Sequence, residues 1–226
     1  MIISHISVDM AAIKHTKGVI DLTWHDISND EALAEQLKIA LTTQIKGPSK
    51  TAKLSSPDTN RGKKDGAVVE GVPSPTSPKR EPEIVKAVRL SNNLLENMEH
   101  LNGPFSSVLD ASQILWLDLS FNKFVNISEA MATTFPNITT MQMHANNISR
   151  LSQLKKLRNF PNLKSISLYG NPVEEHKHYR NYVLNMCPNV TQFDSSPVTA
   201  EERLRAKVWA QTFRRVLERE NEEEYY

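Results

Sequence analysis

From residue 85 onward the apolar positions follow neither a helical period nor a simple alternation. They follow a longer register, L-x-x-L-x-L-x-x-N-x-L, that returns four times. Its copies are Val85, Val88, Leu90, Asn93 and Leu95; Ile114, Leu117, Leu119, Asn122 and Phe124; Ile138, Met141, Met143, Asn146 and Ile148; and Leu163, Ile166, Leu168, Asn171 and Val173. The asparagines step by 29, 24 and 25 residues, a period at which each repeat cannot bury its own apolar face and must stack on the next. The fourth and sixth positions lie two apart, so on a strand they share the inward face while their neighbours point outward. The expected fold is therefore α/β, a right-handed β-α superhelical solenoid with a concave parallel sheet. Asn93, Asn122, Asn146 and Asn171 are expected to form a structural ladder on the backbone of adjacent turns, and residues 105–112, 128–135 and 152–160 to form short helices or turns on the convex side.

A solenoid needs closed ends. Residues 172–194 supply a helix with Tyr179, Tyr182, Val183 and Met186 on one face, then a terminal strand through Val190 and Phe193. Thr199 and Glu202 have capping-box spacing and open a further helix striped with Ala206, Trp209, Ala210, Phe213, Val216 and Leu217, which is expected to fold back on the cap in preference to a partner-binding coiled coil. Ahead of the repeats, Ile20, Leu22 and Trp24 alternate as in a short strand, and Leu33, Leu37, Ala40, Leu41 and Ile45 follow Ser28 and Glu31 at helical spacing. This predicts a helix over 29–45, read as a separate docking element. The chain thus divides into an N-terminal docking segment 1–45, a linker 46–83, a repeat domain with its cap 84–196, and a C-terminal helix with an acidic tail 197–226.

Composition changes the picture chiefly at the linker. Residues 46–83 hold four of the seven glycines and six of the twelve prolines and lack Phe, Tyr, Trp and Ile, too little apolar surface to offset an ordering cost of about 1–2 kcal/mol per residue. Eight Lys and Arg side chains outnumber its carboxylates, so it reads as a basic, flexible strap suited to an acidic surface. Its Ser-Pro pairs at Ser56, Ser74 and Ser77 match proline-directed phosphorylation sites, a pattern common in such linkers. The whole chain, 226 residues with 27 Lys and Arg against 26 Asp and Glu, has no global field that would recruit nucleic acid or a membrane. One cysteine, Cys187, excludes an internal disulfide, and no apolar run reaches signal-peptide or membrane-span length. A cytoplasmic protein is expected.

Within this frame, the run 170–209, GNPVEEHKHYRNYVLNMCPNVTQFDSSPVTAEERLRAKVW, resembles the cap of the SDS22-like leucine-rich-repeat proteins. WLDLSFNKF at 116–124 strengthens the likeness, and IDLTWHDIS at 20–28 extends it weakly. The group includes the spliceosomal U2 A-prime protein and several axonemal subunits. The resemblance implies a non-enzymatic interaction adaptor with protein partners, axonemal or microtubule-associated, in a cilium or flagellum. A ribonucleoprotein scaffold and a phosphatase regulator are the alternatives.

The residues point the same way. No phosphate loop, catalytic triad or dinucleotide fingerprint occurs, so no catalytic residue and no cofactor is expected. His176 and His178 are two apart on a helix, with no carboxylate or cysteine cluster to complete a metal site. Four N-x-[ST] sequons, at Asn126, Asn137, Asn147 and Asn189, read as turn asparagines. The outward positions of the middle repeats carry Trp116, Phe121, His144 and Tyr169. Large rings directed away from a core in a polar rim are the usual composition of a hot spot, so these four are the candidate partner-binding residues on the concave face.

Overall fold

The computed structural model describes residues 18–46 and 84–213. The linker beyond residue 46, with its Ser-Pro pairs, lies outside the described residues, as do Val216, Leu217 and the acidic tail.

Seven short strands form one sheet in chain order: β1 Val19–Asp21, β2 Ala87–Arg89, β3 Trp116–Asp118, β4 Thr140–Gln142, β5 Ser165–Ser167, β6 Gln192–Phe193 and β7 Ser196–Pro197. The first six are parallel and β7 folds back antiparallel on β6. Between them run α1 Asp30–Lys46, α2 Glu99–Val108, α3 Ala130–Thr134, α4 Leu151–Leu154, α5 Tyr179–Met186 and α6 Ala200–Thr212, with 3₁₀ turns at Ala111–Gln113, Lys155–Asn159 and Pro172–Glu175. The register aligns equivalent repeat positions across the sheet: Val88, Leu117, Met141 and Ile166 are neighbours on adjacent strands and are fully buried. Each buried side chain of this size contributes about 1.5–3 kcal/mol, and the core runs unbroken from Ile20 to Trp209.

The N-terminal segment departs from expectation. It is no separate docking element. β1 pairs in parallel with β2, Val19 beside Ala87 and Asp21 beside Arg89, and Ile20, Leu22, Ile27, Leu33 and Leu37 lie in the common core. These residues follow the repeat register, with Ile20, Leu22 and Ile27 at the fourth, sixth and eleventh positions and His25 where the later repeats have asparagine. The 37 intervening residues therefore enter between two stacked repeats rather than between two domains. Gly18 opens this repeat with φ +79°, and a Cβ there would stand 2.6 Å from the Ile84 carbonyl oxygen, so only glycine fits. Asn29, not Ser28, caps α1, its Oδ1 accepting the Ala32 amide at 2.8 Å.

The far end closes as expected. Tyr179, Tyr182 and Val183 of α5 are buried, Val190 and Phe193 continue the core, and the Thr199–Glu202 capping box is formed. α6 lies on α5, where Ala206 and Trp209 are buried and Trp209 Nε1 donates to His178 Nδ1 at 3.1 Å. His178 thus sits against the rings of Trp209 and Phe213. Arg203 of α6 donates to the Val190 carbonyl, and Arg180 of α5 donates to Glu202 at 2.9 Å.

Candidate functional site

Two ladders hold the concave face in place. In the first, Asn93 donates to the Leu22 and Leu90 carbonyls and accepts the His25 and Ile27 amides at 2.9–3.1 Å. Asn122, Asn146 and Asn171 repeat the pattern one turn further each time, accepting the amides of Leu95, Phe124 and Ile148. Asp194 ends the row: its Oδ1 accepts the Leu168 and Tyr169 amides, and its Oδ2 accepts the Tyr179 hydroxyl at 2.8 Å. Burial holds the Asp194 carboxyl above the usual range despite these bonds and, with that carboxylate beside it, pushes Tyr179 far above its ordinary value.

A second ladder lies on the other side of the strands, built from asparagines that follow prolines. Asn137, Asn162 and Asn189 each follow a proline and donate to the carbonyls of Ser112, Pro136 and Pro161, at 3.0–3.1 Å. Each precedes the first apolar position of a repeat, so two of the four sequons are structural joints. The signal was present as Pro-Asn-apolar at 136–138, 161–163 and 188–190.

The fifth position of three successive strands carries Asp21, Arg89 and Asp118. Arg89 is 7 % exposed and lies between the two carboxylates, 3.2 Å from Asp21 and 3.5 Å from Asp118. Burial penalises the Asp21 carboxylate, but hydrogen bonds from Thr23 and the Arg89 charge outweigh it and leave the group below its ordinary value. Trp116 lies over the Arg89 guanidinium at 5.5 Å, half-buried. Trp116, a candidate partner-binding ring, thus also covers an ion pair in the sheet.

Further along, the other three candidate rings meet. Phe121 packs edge-on against His144 at 5.2 Å, and His144 stacks on Tyr169 at 4.5 Å with the planes 10° apart. Ser167 Oγ donates to Gln142 Oε1 at 2.6 Å, so its lone pair accepts Nδ1–H of His144 at 3.0 Å and fixes the tautomer. Burial lowers the His144 basicity, against the pull of Asp118 and Asp194, and raises that of the Tyr169 phenolate. Phe121 is 51 % exposed and Tyr169 40 %.

The eighth position of the repeats is left-handed throughout: φ is 63° at Trp24, 58° at Asn92, 53° at Phe121, 54° at Ala145 and 71° at Gly170. Asparagine and glycine suit that geometry; large aromatic residues do not. Trp24, at 74 % exposure, shares this row with Phe121 and joins the same rim; its place in the alternating strand pattern does not reveal this. None of these groups forms a nucleophile–base pair, and among the described residues no cluster of three or more His, Cys, Asp or Glu could hold a metal.

A leucine-rich-repeat family model matches residues 85–220. Leucine-rich repeat-containing protein 51 of Bos taurus is 41 % identical over 127 residues, covering 56 % of this chain. The chain spans 66 % of the length of that relative. The U2 small nuclear ribonucleoprotein A′ of Aspergillus fumigatus is 38 % identical over 89 residues, 39 % of this chain and 35 % of that protein. Among solved structures, the Drosophila melanogaster SNF/U2A′ complex gives a TM-score of 0.49 at 28 % identity, covering 58 % of this chain and 73 % of the other. With the repeat register, the stacked parallel strands and the asparagine ladder already in place, the match settles the family: the chain belongs to the leucine-rich-repeat proteins.

Proposed function

We propose that the protein is a non-enzymatic adaptor that docks a partner protein on its concave face, with Phe121, His144 and Tyr169 as the contact cluster and Trp116 at its flank. The observation that carries this reading is the run of three touching rings on a sheet face, two of them 40–51 % exposed. They have no core to fill, and rigid aromatic area in a polar surround is what hot spots are made of. α6 is engaged with α5 rather than with these rings.

The setting we propose is the ciliary or flagellar axoneme, on the likeness to the SDS22-like group. The relative named U2 small nuclear ribonucleoprotein A′ favours a second reading, a ribonucleoprotein scaffold that grips a protein partner. Cross-linking mass spectrometry of the native complex separates them. Cross-links from Lys86 and Lys164, at the rim of the same sheet, to an axonemal protein support the first. Recovery with spliceosomal proteins and RNA supports the second. Cross-links confined to the convex helices would refute docking on the concave face.

A further inference from the structure

The docking face has an uneven charge. Along the edge where the strands end, from the fifth position outward, stand Asp21, Asp118, Glu174 and Asp194; of the cations on that edge, Arg89 is buried between two of these carboxylates and Lys123 is paired with Glu96 at 3.5 Å. The opposite edge, at the second position, carries Lys86 and Lys164. The aromatic cluster lies on the acidic side: Asp118 and Asp194 are the charges felt by both His144 and Tyr169, and Glu174 accepts the Gly170 amide at 2.6 Å beside them. His144 donates its Nδ1–H to Ser167 Oγ, which leaves Nε2 as a hydrogen-bond acceptor. Exposed ring faces with an imidazole acceptor, backed by carboxylates, are complementary to a planar cation that donates several hydrogen bonds and stacks.

Building on the proposed docking role, we infer that the partner inserts an arginine side chain at the Phe121–His144–Tyr169 cluster. The guanidinium stacks on the exposed ring faces, inside the field of Asp118, Asp194 and Glu174. Arginine fits better than lysine because its plane matches rings already in contact, and because its weaker hydration suits a half-buried shelf. An anionic segment would meet the carboxylates and is disfavoured on the same ground.

The test is an NMR titration of the isotopically labelled full chain with N-acetyl-arginine amide, its neutral isostere N-acetyl-citrulline amide and N-acetyl-glutamate amide. The expected result is shifts centred on the amides of Phe121, His144 and Tyr169, with the arginine probe binding at least fivefold tighter than citrulline and the glutamate probe producing none. The variant Phe121→Gly, whose left-handed backbone suits glycine, should keep its melting temperature and lose at least fivefold in affinity for the arginine probe. Equal affinity for arginine and citrulline, or shifts that survive in Phe121→Gly, would overturn the inference. The cross-linking outcome is independent of these probes, so a failed arginine preference leaves concave docking standing and a failed cross-link does not.

Discussion

Asn93→Ala puts the unexpected N-terminal repeat to the test. The side chain makes four bonds, three to the first repeat and one within its own, and their loss is not equally serious. The Leu90 carbonyl keeps a second donor in Asn122, at 2.9 Å, and the His25 amide belongs to an exposed residue that can turn to water. The Ile27 amide and the Leu22 carbonyl, on buried residues, lose the partner that Asn93 supplied. At about 1–3 kcal/mol for each buried group left unpaired, with some relaxation, the cost is about 2–4 kcal/mol. In a solenoid that cost falls on one interface. Native-state hydrogen exchange should therefore accelerate at the Leu22 amide, which donates to the Arg89 carbonyl at 2.8 Å, by about 30-fold or more. The Met143 amide, bonded to Ser167 at 2.8 Å, should change by less than threefold. Acceleration of both amides by the same factor would refute local stapling and show that the first repeat opens only with the whole domain.

Arg89→Met should destabilise the fold by about 3–5 kcal/mol in urea titration, because it strands Asp21 and Asp118 in a half-dry sheet, and the triple change with Asp21→Asn and Asp118→Asn should recover most of the loss. Glu202 is held at about 2 by its hydrogen bonds from Arg180 and Thr199. The group is depressed in the folded state, so its contribution is present above the ordinary carboxyl value of 4.5 and is lost as pH falls towards 2; Trp209 fluorescence should report α6 leaving α5 across that window, and Glu202→Gln should abolish the dependence. Burial pushes the Cys187 thiol up to about 12, so alkylation at pH 8 should be at least 100-fold slower in the native protein than in urea, as followed by mass spectrometry.

The sequence made the four repeats legible because each carries asparagine at the ninth position, where a donor and an acceptor are needed together. The first repeat was hidden because His25 stands there. The long interruption after residue 46 then invited a domain boundary, although Ile20, Leu22 and Ile27 keep the register. The candidate rings were read on the outer face from the repeat register, and a register says nothing about which rings touch. Phe121 and His144 sit one position out of step in their repeats, and the left-handed eighth position turns Phe121 towards its neighbour. Trp116 could not be separated from the cluster without knowing that Arg89 is drawn beneath it by carboxylates 68 residues upstream and 29 downstream.

The row at positions seven and eight also sets a length scale on anything lying across it. Neighbouring strands repeat every 4.7–4.9 Å, whereas one face of a crossing helix presents side chains every 5.4 Å. The two rulers slip by about 0.6 Å per strand. Over the five strands from β1 to β5 the slip reaches about 2.4 Å, half a strand spacing, at which a side chain in phase at Tyr169 would fall between residues at Trp24. A helical partner can thus be read closely by three or four repeats and no more. A longer footprint would require a bend or a change to extended chain between the aromatic cluster and Trp24.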